Sequence, residues 1–408
     1  MGITNLKIKN FKTLADVDIP IKGLNVLIGP NACGKSTFLD VINLLSEAAR
    51  GRLSRAVSSH GGMESILTSD AVWRDFQIET DFDKVISTTS RHILNLVQSG
   101  MSYEVMLELL LTSERNIFQY RGDRLKKDSE RRKKMFGAIR SDLRSNAGLP
   151  PDRDDDWRLP EEEKKRETVI GLIEKLEAEK PLKELVYAHT KFLADSFMSR
   201  HVNTGPKSEL TRTQALEPLL EDDYLLGNGG NLITYLYHLR TMHEDAYEEI
   251  LNTVRVGFPG FEKLEFPMAG AGYAYLAWHE RGNKYFALGD VSGLADGALR
   301  FLFLATLLLS PSPPKILLID EPEIGLHPEL QHILAELLQQ ATLRSQIFVA
   351  THSPSLISAL KPEELIVCDQ EEDGRAKLTR ADTMDLDHWL KEFTLGELWD
   401  IGQIGGRT

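Results

Sequence analysis

A chain of 408 residues exceeds what one ordinary domain needs, so it holds one large domain with an insertion or two domains, and its 42% of apolar residues can supply a sizeable core. A net charge of −13 excludes a protein that coats nucleic acid or anionic membrane non-specifically, which leaves DNA contact to a local basic patch. Only Cys33 and Cys368 are present, which excludes a disulfide framework and fits a reducing compartment.

The N-terminus lacks the apolar core of a signal peptide. The longest apolar run, Leu299 to Leu309, contains Arg300 and is too short to span a bilayer. A cytoplasmic protein with no membrane contact is expected.

In chain order, residues 3–9 and 15–21 alternate apolar and polar, as half-buried antiparallel strands do. Residues 24–28 are a short apolar run that reads as a buried strand. Gly29 follows, then four residues, then Gly34-Lys35-Ser36, the spacing of a phosphate-binding loop, and a helical pattern begins at Thr37. Glycines let successive N–H groups turn toward an anion, and the helix start adds its positive dipole end. Pro30, Asn31, Ala32, Cys33 and Thr37 complete the candidate cradle. Lys35 would reach the β- and γ-phosphates, and Ser36 would offer a hydroxyl to Mg²⁺.

Gly51 to Gly62 reads as a polar connection. Strands are expected at 76–82, 103–111 and 116–120. Residues 121–144 are rich in Arg and Lys, among them Arg131, Arg132, Lys133 and Lys134. That stretch is either a solvated helix face or a DNA contact. Residues 146–160 read as a loop, 161–179 as an amphipathic helix, and 182–198 as a second helix after Pro181. The expected division is a first lobe over 1–120, a mainly helical insertion over 121–225, and a second lobe over 226–408. In the second lobe, helices are expected at 231–239 and 243–256, and strands near 262–266, 272–279 and 284–287.

Lys315 to Asp320 is a continuous apolar run ending in two acids, Asp320 and Glu321, as expected of a strand buried on both faces of a parallel sheet. Acids at the carboxyl end of such a strand stand where ligands bind in open α/β sheets. Asp320 would hold Mg²⁺, and Glu321 would take the proton from an attacking water. A second apolar strand, 347–350, runs into Thr351-His352-Ser353-Pro354, and His352 could reach a γ-phosphate from there. Leu294 to Ala305 is a small-residue turn opening an apolar helix, with Asp296 favourable at its start. The remaining histidines show no zinc spacing.

Taken together these stretches resemble the ABC-type ATPase heads of the RecF/SMC and OLD-like group, bacterial AAA-family ATPases of genome maintenance and phage defence. Ile8 to Leu14, the loop from Gly29 to Thr37, Gly229 to Leu232, the signature-like Leu294 to Arg300, Leu318 to Pro328, Thr351 to Pro354 and Leu395 to Gly406 occur in that group's order. The resemblance implies an α/β fold: an ABC-type P-loop NTPase head with a mixed sheet core, an antiparallel β-subdomain and a helical insertion. It also implies ATP and Mg²⁺ as ligands, with Lys12, Asp296 and Gly297 as further nucleotide contacts. Two copies would face each other head to head, each ATP lying between one copy's loop and the other's signature turn.

Ala295 stands where the signature serine is expected, which implies slow hydrolysis, and Ala32-Cys33 replaces the usual Gly-Ala or Gly-Ser pair. No guanine-recognition motif is visible, so ATP is expected over GTP. OLD enzymes carry a nuclease domain after the head. The stretch after His352 is too short for one, so a nuclease or toxin is expected as a separate partner. A RecF-like repair ATPase is the alternative, with DNA held by the basic stretch. A transporter ATP-binding subunit fits less well, given Glu-Ile-Gly-Leu-His-Pro after Pro322 and the long charged insertion.

Overall fold

Alternating burial along Ile3–Phe11 and Leu14–Pro20 places their apolar side chains on one face, and the two strands pair antiparallel at one edge of a six-stranded sheet. The description rests on a computed structural model and covers residues 1–72, 74–85, 88–99, 102–112, 116–121, 180–200, 204, 208–216, 224–282, 284–287, 296–386 and 388–405. The chain divides into two units interleaved along the sequence. One comprises Met1–Lys22, Pro30–Ser196 and Val367–Arg380; the other comprises Gly23–Gly29, Phe197–Ile366 and Ala381–Thr408.

In the first unit the sheet continues from Ile3–Phe11 through Asp75–Val85, Thr88–Ser99, Ser102–Thr112 and Asn116–Arg121, every pairing antiparallel. Thr88–Ser99 is a strand that the sequence pattern hides. Ile93, Leu94, Leu96 and Val97 are all buried, and a bulge between Asn95 and Leu96 shifts the phase, so no alternation survives. The helix Lys35–Ala49 buries nearly all its apolar residues. The helix Lys180–Ala194 packs on the sheet through His189 and Phe192, whose rings meet Phe82 edge-on at 4.9 and 6.1 Å.

Three sequence expectations are corrected. The connection 51–62 contains the helix Leu53–Ser59, which buries Leu53, Ala56 and Val57 at i, i+3 and i+4; at this length the period is hard to tell from a loop. The helix expected over 182–198 starts with Pro181 in its first turn and ends at Ala194, and Ser196–Ser199 is a strand. The strand expected over 272–279 is two, Tyr273–Ala274 and Ala277–Glu280, because each pairs with different neighbours. The basic stretch beyond Arg121, the amphipathic segment 161–179 and the first two signature positions, 294 and 295, lie outside the described residues.

The second unit is built on a parallel ladder. Leu24–Ile28 pairs with Gln346–Thr351, which pairs with Ile316–Asp320. All three are buried almost throughout, which explains their unbroken apolar runs. Helices Pro328–Ala341 and Asp296–Leu308 accompany them, and a three-stranded antiparallel sheet, Phe261–Glu265, Ala277–Glu280 and Lys284–Ala287, packs Trp278 against Phe261 and Phe258. Parallel core and antiparallel sheet are therefore both present, as expected of the fold class.

The C-terminal helix Leu395–Asp400 begins with a capping box, in which the Thr394 hydroxyl and the Glu397 carboxylate satisfy each other's backbone N–H groups. It lies against the short helix Pro354–Ser358 so closely that a Cβ at Gly396 would collide with the Pro354 carbonyl oxygen. Gly396→Ala is expected to destabilise the fold by about 1–3 kcal/mol, the usual range for an overpacked site. A denaturant titration checks this, and an unchanged midpoint would show that the helix is free to shift.

Candidate functional site

The parallel register decides which residues share an edge. Ala350 stands opposite Asp320 on one side and Leu27 on the other, and Thr351 stands opposite Ile28. Gly29, where the glycine-rich loop departs, therefore leaves the sheet at the carboxyl edge where Asp320 and Thr351 end their strands. The backbone N–H of Glu321 still bonds to the Ala350 carbonyl at 2.8 Å. Glu321 then turns with φ 51°, a left-handed conformation for a residue with a Cβ, and its carboxylate stays 41% exposed. Its Oε1 lies 3.6 Å from Nε2 of His352, ion-pair range when the imidazole is protonated.

Between these two groups is a third acid that sequence reasoning left without a role. Glu323 accepts hydrogen bonds from the Thr351 hydroxyl at 2.6 Å and from the His352 N–H at 2.8 Å through the same oxygen, Oε1. Burial pushes the Glu323 carboxyl above its usual range, the two hydrogen bonds oppose that, and the neighbouring Glu321 charge adds to it. Its other oxygen, Oε2, is buried with no hydrogen-bond partner. Ser353 is tied in the same way, its hydroxyl donating to the Gln331 side-chain oxygen, while Gln331 Nε2 donates to Leu326 O at 2.9 Å. The turn after the acids and the turn after Thr351 are thus held together by side chains. The sequence signal for this was an acid two positions beyond Glu321, on a turn too short to point it at solvent.

Ser199, Arg300, Leu304, Ile319, Asp320, Glu321 and Pro322 line a small cleft. Arg300 also donates from Nη1 to the Ile324 carbonyl at 2.8 Å. Asp296 opens its helix in the first turn, and a Cβ at Gly297 would collide with the carbonyl oxygen of Gly325. Gly297 therefore has a packing reason of its own: only hydrogen fits between the start of this helix and the turn after the acids.

In the first unit, Gly34 caps the helix Lys35–Ala49 with φ 109°, and a Cβ there would lie 3.1 Å from both Ala376 Cβ and Thr13 Oγ1. Ala32 takes φ 65°, the conformation for which glycine is suited, so the replacement of glycine at this position carries a strain of about 1 kcal/mol. The Lys35 ammonium folds back on its own loop, donating to the Pro30 carbonyl at 2.8 Å and standing 3.9 Å from Cys33 Sγ. Asn31, Ala32 and Ser36 are exposed, with Ser36 in the first turn of the helix. Lys12 stands in the turn that follows the strand Ile3–Phe11. Its ammonium pairs with Asp40 at 2.9 Å, and Asp40 is also 3.7 Å from His60 Nδ1, so Lys12 has a structural partner.

Among the described residues no group of three or more His, Cys, Asp and Glu side chains is placed to hold a metal ion by itself, and no helix is long and apolar enough to cross a membrane.

Comparison with solved structures identifies the fold. An Smc head bound to the C-terminal winged-helix domain of ScpA aligns over 93% of this chain and 98% of its own at a TM-score of 0.51 and 14% identity. An Smc head with an extended coiled coil, from Pyrococcus furiosus, aligns over 98% and 99% at 0.50 and 14%. Among curated proteins, the OLD nuclease of Thermus scotoductus is 23% identical over 98% of this chain, which spans 69% of that relative. The DNA replication and repair protein RecF of Nitrosococcus oceani is 41% identical over 68 residues, 16% of this chain and 19% of RecF. A family model matches residues 24–358, most of the chain, and the protein accordingly belongs to the family described as "AAA domain, putative AbiEii toxin, Type IV TA system", ABC-type ATPases of the RecF, SMC and OLD kind.

Proposed function

We propose that this chain binds ATP with Mg²⁺ between two copies of its head, hydrolyses it slowly, and by that cycle regulates a separate effector, a nuclease or toxin, acting at DNA. The observation that carries the reading is the shared carboxyl edge of the parallel ladder, where the start of the glycine-rich loop, Asp320 with Glu321, and Thr351 with His352 meet in register.

In this reading Lys35 leaves the Pro30 carbonyl for the β- and γ-phosphates, an exchange of a neutral acceptor for a charged one. Gly29 to Thr37 supply backbone N–H groups, and Asp296 and Gly297 of a second copy supply the opposite face. Asp320 and the exposed Ser36 hydroxyl are hard oxygen donors of the kind Mg²⁺ accepts alongside phosphate and water, so the donor set fits that ion. The bound ion would neutralise developing phosphate charge. Glu321, half-exposed on a strained turn, takes the proton of the attacking water, and His352 faces it from the neighbouring turn. Glu323 sets the position of His352 through its N–H. The family description, a putative toxin of a toxin–antitoxin system, and the OLD nuclease match over nearly the whole chain support an effector-linked role.

The short RecF match favours a second reading, a repair ATPase that holds DNA through the basic stretch 121–144. That contact would weaken with salt as counterions are released.

Two expected outcomes follow. Lys35→Ala abolishes ATP binding in a titration with a fluorescent ATP analogue, while Glu321→Gln binds ATP as the parent does and loses at least about a hundredfold in phosphate release, the usual scale for a general base. Undiminished turnover in Glu321→Gln removes the proposed base. For the second reading, reversing Arg131, Arg132, Lys133 and Lys134 together abolishes DNA binding measured at low salt, and unchanged binding disposes of the DNA contact.

A further inference from the structure

Gln331 lies in the helix Pro328–Ala341, 7% exposed, with both halves of its amide in use. Its Oε1 accepts from the Ser353 hydroxyl, and its Nε2 donates to Leu326 O at 2.9 Å, in the turn that leads from the acids into that helix. A carboxylate here would set a second acceptor against the Leu326 carbonyl, and a leucine would serve neither partner, so this pair of contacts needs an amide. The Ser353 hydroxyl is used twice as well. It donates to Gln331 and accepts from the Leu356 N–H at 3.4 Å, capping the helix Pro354–Ser358.

His352 stands between two sets of ties. On the strand side, Glu323 Oε1 takes the Thr351 hydroxyl and the His352 N–H, and Thr351 Oγ1 in turn accepts from the Ser353 N–H at 3.1 Å. Thr351 is fully buried, so that side is anchored in the sheet. The chain leaves His352 through Ser353, and there the side-chain tie is the one to Gln331. Held from both sides, the imidazole keeps Nε2 at 3.6 Å from Glu321 Oε1 although about a third of the ring's side chain is open to solvent.

We propose that Gln331 is a positioning residue for His352: acting through the Ser353 hydroxyl, it completes the clamp that Glu323 begins and keeps the imidazole opposite Glu321. Gln331 touches none of the reacting atoms in this role. A misplacement of about 1 Å can cost on the order of a hundredfold in rate, so the loss of the clamp is felt in turnover and not in nucleotide binding.

That consequence for turnover rests on the ATP reading above, and the test separates the two. Full-length wild type, Gln331→Leu, Ser353→Ala and His352→Ala are compared in steady-state phosphate release. With carbon-13-labelled histidine they are also compared in the ring resonance of His352, identified by its loss in His352→Ala. Ser353→Ala removes the same bond from its other end and leaves the buried helix untouched. The value of kcat is expected to fall at least about tenfold in Gln331→Leu and in Ser353→Ala, with KM for ATP within about twofold, and the two changes together cost little more than either alone. In protein already carrying His352→Ala, Gln331→Leu has no further effect, because it acts through the histidine. The His352 resonance shifts or broadens in both variants. An unmoved resonance in both would overturn the proposal, as would unchanged turnover in both. An equal loss from Gln331→Leu with and without His352 would overturn it too, since that reports a role in the fold alone. If the wild type releases no phosphate from ATP, the ATP reading fails, while the resonance still decides whether Gln331 positions His352.

Discussion

Parallel pairing of Leu24–Ile28 with Gln346–Thr351, and of that strand with Ile316–Asp320, is the constraint on which the site depends. In a parallel ladder the strands share a direction, so their carboxyl ends fall on one edge and the turns leaving them converge. Asp320 and Thr351 need no long-range coincidence to stand near the start of the loop; the hydrogen-bond register alone places them. Burial of each strand on both faces makes that register hard to slip, because moving one residue would carry Asp320 into an apolar layer.

What the register places, side chains then hold. Glu321 pays with a left-handed backbone for projecting a half-exposed carboxylate toward His352. Glu323, buried behind it, accepts from the Thr351 hydroxyl and the His352 N–H at once, so a shift of one turn is felt by the other. Arg300 and Gly297 pin the start of a further helix to the same turn, the first through the Ile324 carbonyl and the second by close approach to Gly325. The short helix Pro354–Ser358, which follows the His352 turn, is packed against the C-terminal helix Leu395–Asp400.

Much of this was legible in the residues because the physics is local. A continuous apolar run ending in acids reads as a buried parallel strand, and Ile316–Asp320 is one. Glycine spacing before a helical pattern reads as a loop and helix, and Gly34 does cap Lys35–Ala49. Thr88–Ser99 was hidden because burial on both faces and a bulge remove the alternation that marks a strand. Leu53–Ser59 was hidden by its length. Glu323 was illegible for a different reason: its role depends on what a distant segment brings to it, the turn carrying Thr351 and His352.

In the proposed cycle ATP joins two heads and hydrolysis parts them. Native mass spectrometry of tagged Glu321→Gln protein, drawn from its own host with ATP and Mg²⁺, tests it most directly. The expected species holds two copies of the 45.9 kDa chain, with a second protein of nuclease or toxin type in stoichiometric amount, and is lost when ATP is omitted. A single copy at every ATP concentration would contradict the dimer, and a dimer carrying only DNA would contradict the effector and leave a repair ATPase.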